Sequence, residues 1–398
     1  MRSFKKNILI KSLIYVLNLP LYFISLTIPK NKNIWIFGAW VGENYSDNPK
    51  YLFEYVNKNC PDIKPIWLSK DYKTIRLIKA NGWKAYNSYS VFGYFYSMIA
   101  KVCIVNQGMI DVNKFIPSPI IINLWHGIPL KKIMYDDNID NETDRFKKIK
   151  KTFFSFLRYP EECNMMISCS EDDRINFSSA FKINKENIRI TGYPRNDGIF
   201  INNNIRFVDK NKFNVIYMPT FRNTSGKTGV FFMDVKNICN KLSIIDTTLY
   251  FKMHFCDKDK VKELNKIIKE LNHIKIIMDD EINNNIYNII NSFNILITDY
   301  SSIYFDFLLT NKPIIFFPFD YEKYIKEDRE LYYDYNEITP GPKCKNWDEI
   351  IEWIKKFKND PSLYADERKK IKDRFHKYQD GKSSERVYKE IKKLIEKI

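Results

Sequence analysis

Short apolar runs recur along the chain after residue 32 and alternate with longer segments of helical period. The runs are apolar at nearly every position, which is typical of central parallel strands that helices cover on both faces. The runs predicted to be strands are 34–37, 65–69, 102–107, 121–126, 165–170, 188–194, 214–221, 249–254, 274–279, 295–300 and 313–319. The pattern therefore predicts an α/β protein built on parallel sheets.

A polar stretch at 202–211 divides these runs into two groups and has the composition of a linker. At 398 residues, the chain is also long enough for two domains. We therefore predict two doubly wound, Rossmann-type domains that face a central cleft. The predicted boundaries are an N-terminal segment at 1–32, a first domain at 33–205, a second domain at 206–370 and a C-terminal helix at 371–398.

The N-terminal segment is almost continuously apolar from residue 7 to 28, and its length would just span a bilayer. Lys11 and Pro20 interrupt it, and a simple span is not favoured because proline breaks the hydrogen-bond ladder of a helix. We predict two short helical pieces in the membrane interface, held by apolar burial and by attraction of lysines to anionic lipid. A helix buried on the first domain and a signal peptide are the alternatives, although no small-residue cleavage site follows.

The chain carries a formal net charge of +16, and residues 1–42 contain no Asp or Glu. Such a balance suits an anionic lipid surface, a nucleotide or a nucleic acid. Nucleic acid is not favoured, because no zinc-finger spacing or RNP-like pattern occurs in the sequence. The seven cysteines show no CxxC spacing, which favours a reducing cytoplasm without disulfides or structural zinc.

Polar residues recur directly after the predicted strands, at the edge where open α/β sheets bind ligands. Such clusters occur at 125–127, 220–222, 252–254 and 298–302. Repeated placement of this kind is harder to explain by packing than a single polar residue would be. The candidate site residues in these clusters are Trp125, His126, Gly127, Thr220, Arg222, Lys252, His254, Thr298, Asp299, Ser301 and Ser302.

His126 follows an apolar strand and precedes Gly127, which permits a tight turn and close approach of backbone amides to a ligand. Histidine titrates near neutral pH, so it can take a proton from an attacking hydroxyl. A single histidine is more often a hydrogen-bonded part of a core. Here the chain has four histidines, and two of them, His126 and His254, end predicted strands, which favours a functional role.

Two further clusters suit phosphate. The run ITDYSS at 297–302 offers backbone amides and two hydroxyls at a predicted helix N-terminus. Its alternative is an ordinary helix cap by Ser301 or Ser302. Arg222 lies in a loop of small polar residues, where a guanidinium can hold two oxygens of a pyrophosphate. Its alternative is a surface arginine without a ligand.

No P-loop, GxGxxG fingerprint, HExxH site or GxSxG elbow occurs, so glycosyl transfer and phosphoryl transfer both remain open at this point. Other motifs are more specific. They are YSDNPK at 45–50, WHGIPLKK at 125–132, ITGYPRND at 190–197, MPTFRN at 218–223, KMH at 252–254, LITDYSSIYFDF at 296–307, PIIFFPFDYEKY at 313–324, GPKC at 341–344 and YQDGKSSERV at 378–387. From about Ile34 to the C-terminus, the chain thereby resembles the CDP-glycerol glycerophosphotransferase family of wall teichoic acid synthesis.

The resemblance implies a GT-B-like pair of Rossmann domains, monotopic association with a membrane, and transfer from a CDP-alditol with release of CMP. The two essential histidines of the family fall on His126 and His254 here. The family's second domain holds the nucleotide and the pyrophosphate. The residues that this places near the donor are Arg222, His254, Ser301 and Ser302. One departure is Phe255, where members of the family often have proline.

We therefore predict that His126 acts as general base on an acceptor hydroxyl, which attacks the β-phosphorus of the donor in line while CMP leaves. The second domain stabilises the charge on the pyrophosphate, and Asp299 shapes the loop that does so. The predicted acceptor side consists of Trp125 and Gly127. The predicted catalytic residues are His126 and His254, and His254 lies near the pyrophosphate. The predicted donor-binding residues are Arg222, Thr220, Lys252, Thr298, Asp299, Ser301 and Ser302.

The predicted partners are CDP-glycerol or CDP-ribitol, a lipid-linked saccharide acceptor and an anionic membrane surface at the cytoplasmic face of the cell membrane. No cofactor is predicted, and no divalent metal is required because no compact Asp cluster occurs. Asp136 and Asp137 are predicted to lie in a surface loop, and Asp306 in a helix. Two rival functions are a GT-B glycosyltransferase that uses a nucleotide sugar and a non-catalytic membrane-bound scaffold.

Overall fold

The computed structural model of the chain contains two separate parallel β-sheets. It describes residues 2–116, 118, 120–137, 163–201, 208–209, 211–220, 235–252, 268, 270–278, 285–322, 324 and 330–397, without the side chains of 2–13 and 15. The described strands are β1 (Asn31–Phe37), β2 (Lys64–Ser69), β3 (Ala85–Asn87), β4 (Ala100–Val105), β5 (Ile120–Asn123), β6 (Met165–Ser168), β7 (Ile188–Ile190), β8 (Phe213–Met218), β9 (Thr247–Phe251), β10 (Ile274–Ile276), β11 (Ile295–Thr298) and β12 (Ile314–Phe316).

The strand order is doubly wound in both sheets. The first sheet runs β3-β2-β1-β4-β5-β6-β7 and the second runs β10-β9-β8-β11-β12. In each case the chain starts in the middle, builds one side, and then returns to build the other. Ligands bind such sheets at the carboxyl ends of the strands near the point of reversal. That point lies between β1 and β4 in the first sheet and between β8 and β11 in the second.

Capping side chains set where several helices begin. The described helices are α1 (Arg2–Thr27), α2 (Asp47–Asn59), α3 (Tyr72–Ala80), α4 (Val91–Ile99), α5 (Glu171–Phe181), α6 (Val235–Ile244), α7 (Ile303–Phe307), α8 (Tyr335–Ile338), α9 (Trp347–Asn359), α10 (Ala365–Phe375) and α11 (Ser383–Lys397). Asp71, Ser90 and Asn346 each accept a backbone N–H three residues further on, at the starts of α3, α4 and α9. Such a bond satisfies an N–H that has no partner inside the helix.

Each sheet has a hydrophobic core on both faces, which explains why its strands are apolar at nearly every position. In β1, Trp35 and Phe37 join one core while Ile34 and Ile36 join the core on the opposite face. The strand β11 shows the same division between its alternate side chains. Burying one side chain of this size stabilises the fold by about 1.5–3 kcal/mol, so both faces contribute strongly.

The predicted parallel α/β architecture is confirmed, and each predicted run contains a strand. Most of the strands end before their runs do, whereas β1 and β2 begin earlier than predicted and end with their runs. The sequence did not predict β3, an edge strand of three residues that pairs only with β2 among the described strands. Such a short edge strand has no apolar run of its own to mark it.

The N-terminal segment forms one helix, α1, so the prediction of two short helical pieces is wrong. Pro20 lies inside the helix without dividing it. Contacts with the region of α4 occur before and after this proline, from Asn18 in the helix and from Lys30 just beyond its end. Tyr94 donates its hydroxyl to Asn18 Oδ1 at 2.6 Å on one side, and Lys30 donates to the carbonyl oxygen of Met98 on the other.

The outer face of α1 carries exposed apolar side chains. Leu17 is 66% exposed and Phe23 is 59% exposed, whereas Ser25 on the inner face is fully buried. The neighbouring helix α4 adds further exposed apolar side chains, which are Val91, Phe92 and Phe95. No helix within the described residues is both long and apolar enough to cross a bilayer.

Two helices, α10 and α11, occupy the segment predicted to hold one C-terminal helix. Gly381 separates them with a left-handed backbone φ of +67°. The last helix packs on the first half of the molecule, where Tyr388 contacts Trp35 and Lys392 pairs with Asp62 at 3.0 Å. The end of the chain therefore returns to the first sheet.

Candidate active site between the two sheets

The turn after β5 carries His126 and is fixed by two asparagines. Asn123 accepts the backbone N–H of Trp125 at 2.9 Å. Asn48, at the start of α2, donates its side-chain amide to the carbonyl oxygens of Leu124 and Trp125 at 2.9 and 3.0 Å. These bonds hold Trp125 at a left-handed φ of +49°. The chain therefore turns sharply after β5, and His126 lies in the loop beyond the carboxyl end of that strand.

The His126 imidazole is packed between two indole rings. Its centroid lies 4.0 Å from the Trp125 ring and 5.2 Å from the Trp40 ring, and only part of the residue remains open to solvent. Burial lowers the pKa of His126 to about 4, although the nearby Asp47 carboxylate raises it in part. The charge of Arg195 lowers this pKa further. The imidazole is therefore neutral at pH 7 and can accept a proton.

The loop after β1 brings Trp40 to His126 in a strained conformation. Trp40 and Val41 have φ values of +49° and +60°, and a β-branched residue rarely adopts such a value. Asn106 accepts the N–H of Trp40 at 3.0 Å and Asp111 accepts the N–H of Val41 at 2.7 Å, which offsets the strain. Strained residues of this kind collect at functional sites.

The loop after β11 forms the opposite wall of the site. Asp299 accepts hydrogen bonds from the backbone N–H and the hydroxyl of Thr220, at 2.8 and 2.6 Å, and from the N–H of Tyr300 at 2.7 Å. Thr298 donates its hydroxyl to the carbonyl oxygen of Met218 at 2.7 Å. These side chains tie the ends of β8 and β11 together and thereby shape the loop that carries Ser301 and Ser302.

The two serines of this loop differ from ordinary helix caps. Ser302 precedes α7 but makes no side-chain capping bond, and Ser301 accepts the N–H of Ile303 only at 3.4 Å. Both residues are partly exposed. The following helix has only five residues, so its dipole is small. The two serines therefore lie partly open to solvent at this edge of the second sheet.

The two walls meet at Gly127. A Cβ on this glycine would lie 3.4 Å from Ser302 Oγ and 3.0 Å from Arg195 Nη2. Its φ of +144° also disfavours other residues. Tyr193 donates its hydroxyl to the Gly127 carbonyl oxygen at 3.1 Å, which helps to hold the turn. The structure thus brings the His126 turn of the first half against the Ser301–Ser302 loop of the second.

Arg195 joins the two walls beneath this contact, with a side chain only 5% exposed. Its Nη1 donates to Asp47 Oδ1 at 3.1 Å and to the His126 carbonyl oxygen at 2.6 Å. Its Nη2 donates to Asp306 Oδ2 at 2.6 Å, in the helix after Ser302. Asp47, like the residues of the strained loop, has a positive φ, of +62°. The network connects both sheets through charged groups that are almost fully buried.

Sequence reasoning did not select Arg195 or its two carboxylate partners as site residues. Asp306 does lie in a helix as predicted, but it is buried and paired. The motif at 190–197 offered a signal, since Arg195 follows a strand end and a Gly-Tyr-Pro turn. An arginine in that position faces the ligand edge of the sheet.

Asp136 and Asp137 were predicted to lie in a surface loop, which is wrong for Asp137. The loop at 128–137 contacts the second half of the molecule. Its backbone pairs with the second half, where the N–H of Tyr332 donates to the carbonyl oxygen of Leu130 at 3.0 Å. Asp137 is buried, and Asp136 accepts the hydroxyl of Tyr332 at 2.7 Å. The loop is covered because it contacts residues 330–333, which no local pattern in the sequence indicates.

The remaining predicted site residues divide into described and undescribed ones. Lys252 lies directly after β9, and its N–H donates to the carbonyl oxygen of Tyr217 at 3.0 Å. Arg222, His254 and the nearby Phe255 lie outside the described residues. Among the described residues, no group of three or more His, Cys, Asp or Glu side chains is arranged to hold a metal ion.

Curated relatives resemble the chain over most of its length. It is 28% identical over 384 residues to a teichoic acid glycerol-phosphate transferase of Staphylococcus aureus, covering 91% of this chain and 93% of the relative. It is 29% identical over 390 residues to a teichoic acid poly(glycerol phosphate) polymerase of Bacillus spizizenii, covering 92% and 93%.

Solved structures show the same fold. The wall teichoic acid polymerase TagF matches with a TM-score of 0.76 at 24% identity, covering 98% of each chain. A UDP complex of MnaA from S. aureus matches with a TM-score of 0.56 at 15% identity, covering 92% of this chain and 98% of the other. The family model for CDP-glycerol:poly(glycerophosphate) glycerophosphotransferases matches residues 20–393. With a match over nearly the whole chain, the protein belongs to this glycerophosphotransferase family.

Proposed function

We propose that the protein transfers an alditol phosphate from a CDP-alditol, CDP-glycerol or CDP-ribitol, to a lipid-linked saccharide acceptor and releases CMP. One observation carries the proposal: the turn with the neutral His126 lies against the Ser301–Ser302 loop of the other half. The relatives named for teichoic acid glycerol-phosphate transfer support the choice of donor.

His126 is the general base of the proposed reaction. Its neutral imidazole takes the proton of the acceptor hydroxyl as the oxygen attacks the β-phosphorus of the donor. The bond from that phosphorus to the bridging oxygen breaks, and the electron pair leaves with CMP. Two indole rings pack against the imidazole, and in the proposal the acceptor approaches the part of His126 that stays open to solvent.

The second half of the molecule holds the pyrophosphate in this proposal. Ser301 and Ser302 present hydroxyls and backbone amides, which stabilise charge that develops during phosphoryl transfer. Asp299 keeps the loop in shape through its bonds to Thr220 and Tyr300. The further donor-side residues of the proposal are Arg222, Lys252, His254 and Thr298.

The protein binds the cytoplasmic face of the membrane in this account. The exposed apolar side chains of α1, among them Leu17 and Phe23, suit burial at the boundary between headgroups and acyl chains. The surplus of basic residues suits the anionic lipid around it. The reacting groups then work close to the surface in which a lipid-linked acceptor is anchored.

The substrate and the reaction type can be tested together. Purified protein is incubated with CDP-glycerol or CDP-ribitol and a set of synthetic lipid-linked saccharides, and the products are read by mass spectrometry. We expect an acceptor heavier by one alditol phosphate or more, with an equal amount of CMP. Turnover of a nucleotide sugar with release of a nucleoside diphosphate supports glycosyl transfer instead. No turnover of any donor supports the scaffold and contradicts the proposal.

A further inference from the structure

The guanidinium of Arg195 contacts one half of the molecule with each of its terminal nitrogens. Nη1 reaches Asp47 and the carbonyl oxygen of His126 in the first half, and Nη2 reaches Asp306 in the second. The guanidinium is flat and rigid, so the two nitrogens have a fixed separation. Arg195 therefore links the His126 turn directly to α7.

Aromatic neighbours hold the forked guanidinium group of Arg195 in this orientation. The Arg195 guanidinium lies 4.7 Å from the centroid of the Tyr287 ring and 5.5 Å from that of Tyr193. Tyr287 also donates its hydroxyl to Asp306 Oδ2 at 3.2 Å. The carboxylate of Asp306 is thus fixed on the same side as Ser302, four residues earlier in the chain.

Burial makes this contact sensitive to the distance between the halves. The side chains of Arg195, Asp47 and Asp306 are 5%, 6% and 1% exposed. A buried carboxylate that loses its cation is left without compensation for the water it gave up. The pair between Arg195 and Asp306 is therefore favourable only while the two walls of the site stay together.

We propose that Arg195 is a positioning residue, which holds the His126 turn at the distance from the Ser301–Ser302 loop that transfer requires. This inference rests on the proposed function, in which the base and the donor loop have to meet. Arg195 acts through the backbone of His126 and through Asp306. Its side chain is only 5% exposed, so it is assigned no direct contact with donor or acceptor.

The charge of Arg195 has a second effect on the base. The charged groups that face His126 are the carboxylate of Asp47 and the guanidinium of Arg195. The guanidinium disfavours a proton on the imidazole, so its removal raises the pKa of His126. Arg195→Lys keeps the charge and loses the fork, whereas Arg195→Gln loses both. The two variants therefore separate the positional effect from the electrostatic one.

Kinetics of matched variants test the positional effect. We expect Arg195→Lys and Asp306→Asn to lower kcat at least about tenfold, with the donor KM changed less than about threefold, since a base misplaced by a fraction of an ångström still leaves donor binding intact. Tyr51→Phe is the matched control. It removes bonds of 2.6 Å to Asn285 and Asn288, which also join the two halves, and we expect its kcat to match the wild type.

Hydrogen exchange tests the position of the His126 turn without an activity assay. Hydrogen exchange of a peptide that covers residues 124–128 reports how firmly the His126 turn is held. We expect exchange to be at least about tenfold faster in Arg195→Lys and Asp306→Asn than in wild type and in Tyr51→Phe.

Side-chain NMR of the four histidines, assigned with His126→Ala, reads the electrostatic effect. A higher pKa of His126 in Arg195→Gln, and an unchanged one in Arg195→Lys, is expected. Should Arg195→Gln fail to fold, the kinetics and exchange of Asp306→Asn still decide the positional role.

Unchanged kcat and unchanged exchange in Arg195→Lys and Asp306→Asn overturn the inference. An equal loss of kcat in Tyr51→Phe also overturns it, because the contact then only holds the fold. Wild-type protein that turns over no CDP-alditol contradicts the proposed function instead. In that case the exchange of residues 124–128 still shows whether Arg195 fixes the turn.

Discussion

At the scale of single residues, Gly127 lets the two walls of the site approach because it has no side chain. A methyl group there would crowd Arg195 Nη2 and Ser302 Oγ, at 3.0 and 3.4 Å. We predict that Gly127→Ala pushes the His126 turn away from the second half. Since reacting groups displaced by about 1 Å can cost about 10²-fold in rate, we expect turnover to fall at least about tenfold.

Gly82→Ala is the control for this substitution. Gly82 also has a positive φ, of +79°, but a Cβ there would meet nothing within 4 Å. The variant therefore carries backbone strain of about 1–2 kcal/mol without crowding a neighbour. We expect thermal unfolding to shift down in both variants and turnover to fall only in Gly127→Ala. Equal turnover in the two variants contradicts the role given to Gly127.

Residues at this scale differ in how far the sequence reveals them. His126 was predicted because it directly follows an apolar run, and the structure places it at the edge between the sheets. Arg195 was not, because its carboxylate partners Asp47 and Asp306 lie 148 and 111 positions away. An ion pair between distant residues leaves no periodic signal in a sequence.

The helix α11 depends on a carboxylate from another element. Asp197 accepts the backbone N–H groups of Ser383 and Ser384, both at 2.8 Å, at the start of this helix. We predict that Asp197→Ala lowers the free energy of unfolding by about 1–2 kcal/mol, because two N–H groups lose their partner. Urea unfolding measures this change.

The control for Asp197→Ala is Glu385→Ala in the same helix. Glu385 pairs with Lys389 on the exposed face, where an ion pair contributes little. We expect its urea midpoint to stay near that of the wild type. A midpoint for Asp197→Ala that equals the one for Glu385→Ala would show that the distant carboxylate does not secure α11.

Strands and helices could be predicted where a local pattern of apolar residues indicates them. The strand β11 has both faces buried and reads as an unbroken apolar run, so the sequence reveals it. The strand β3 has three residues, of which only Ala85 is buried, and so it was missed. The sequence did not predict that α1 is a single helix, because a proline usually breaks a helix and Pro20 lies inside this one.

The whole molecule is expected to sit on a membrane through α1. We predict that Leu17→Asp combined with Phe23→Asp weakens flotation with vesicles of anionic lipid, since both side chains are more than half exposed. Ile244→Asp changes an even more exposed apolar side chain in the second half and is expected to float like the wild type. Identical flotation of all three proteins removes α1 from the membrane contact.

At this scale the sequence predicts the two sheets better than the junction between them. Strand runs on either side of a polar linker indicate two doubly wound halves. The junction is made instead by long-range pairs, such as Lys131 with Leu331 and Tyr51 with Asn285. These contacts form only when both halves are folded, so no local pattern in the sequence predicts them.

Turnover of His126→Ala shows whether a neutral imidazole of the first half removes a proton from the acceptor while the second half holds the donor. His273→Ala is the matched control, because His273 binds Thr247 at the opposite edge of the second sheet.

If His126 is the general base, His126→Ala lowers turnover of the CDP-alditol by at least about 10²-fold while the donor affinity measured by calorimetry stays the same. His273→Ala retains wild-type turnover. Near-normal turnover in His126→Ala, or an equal loss in both variants, would contradict the role of His126 as general base.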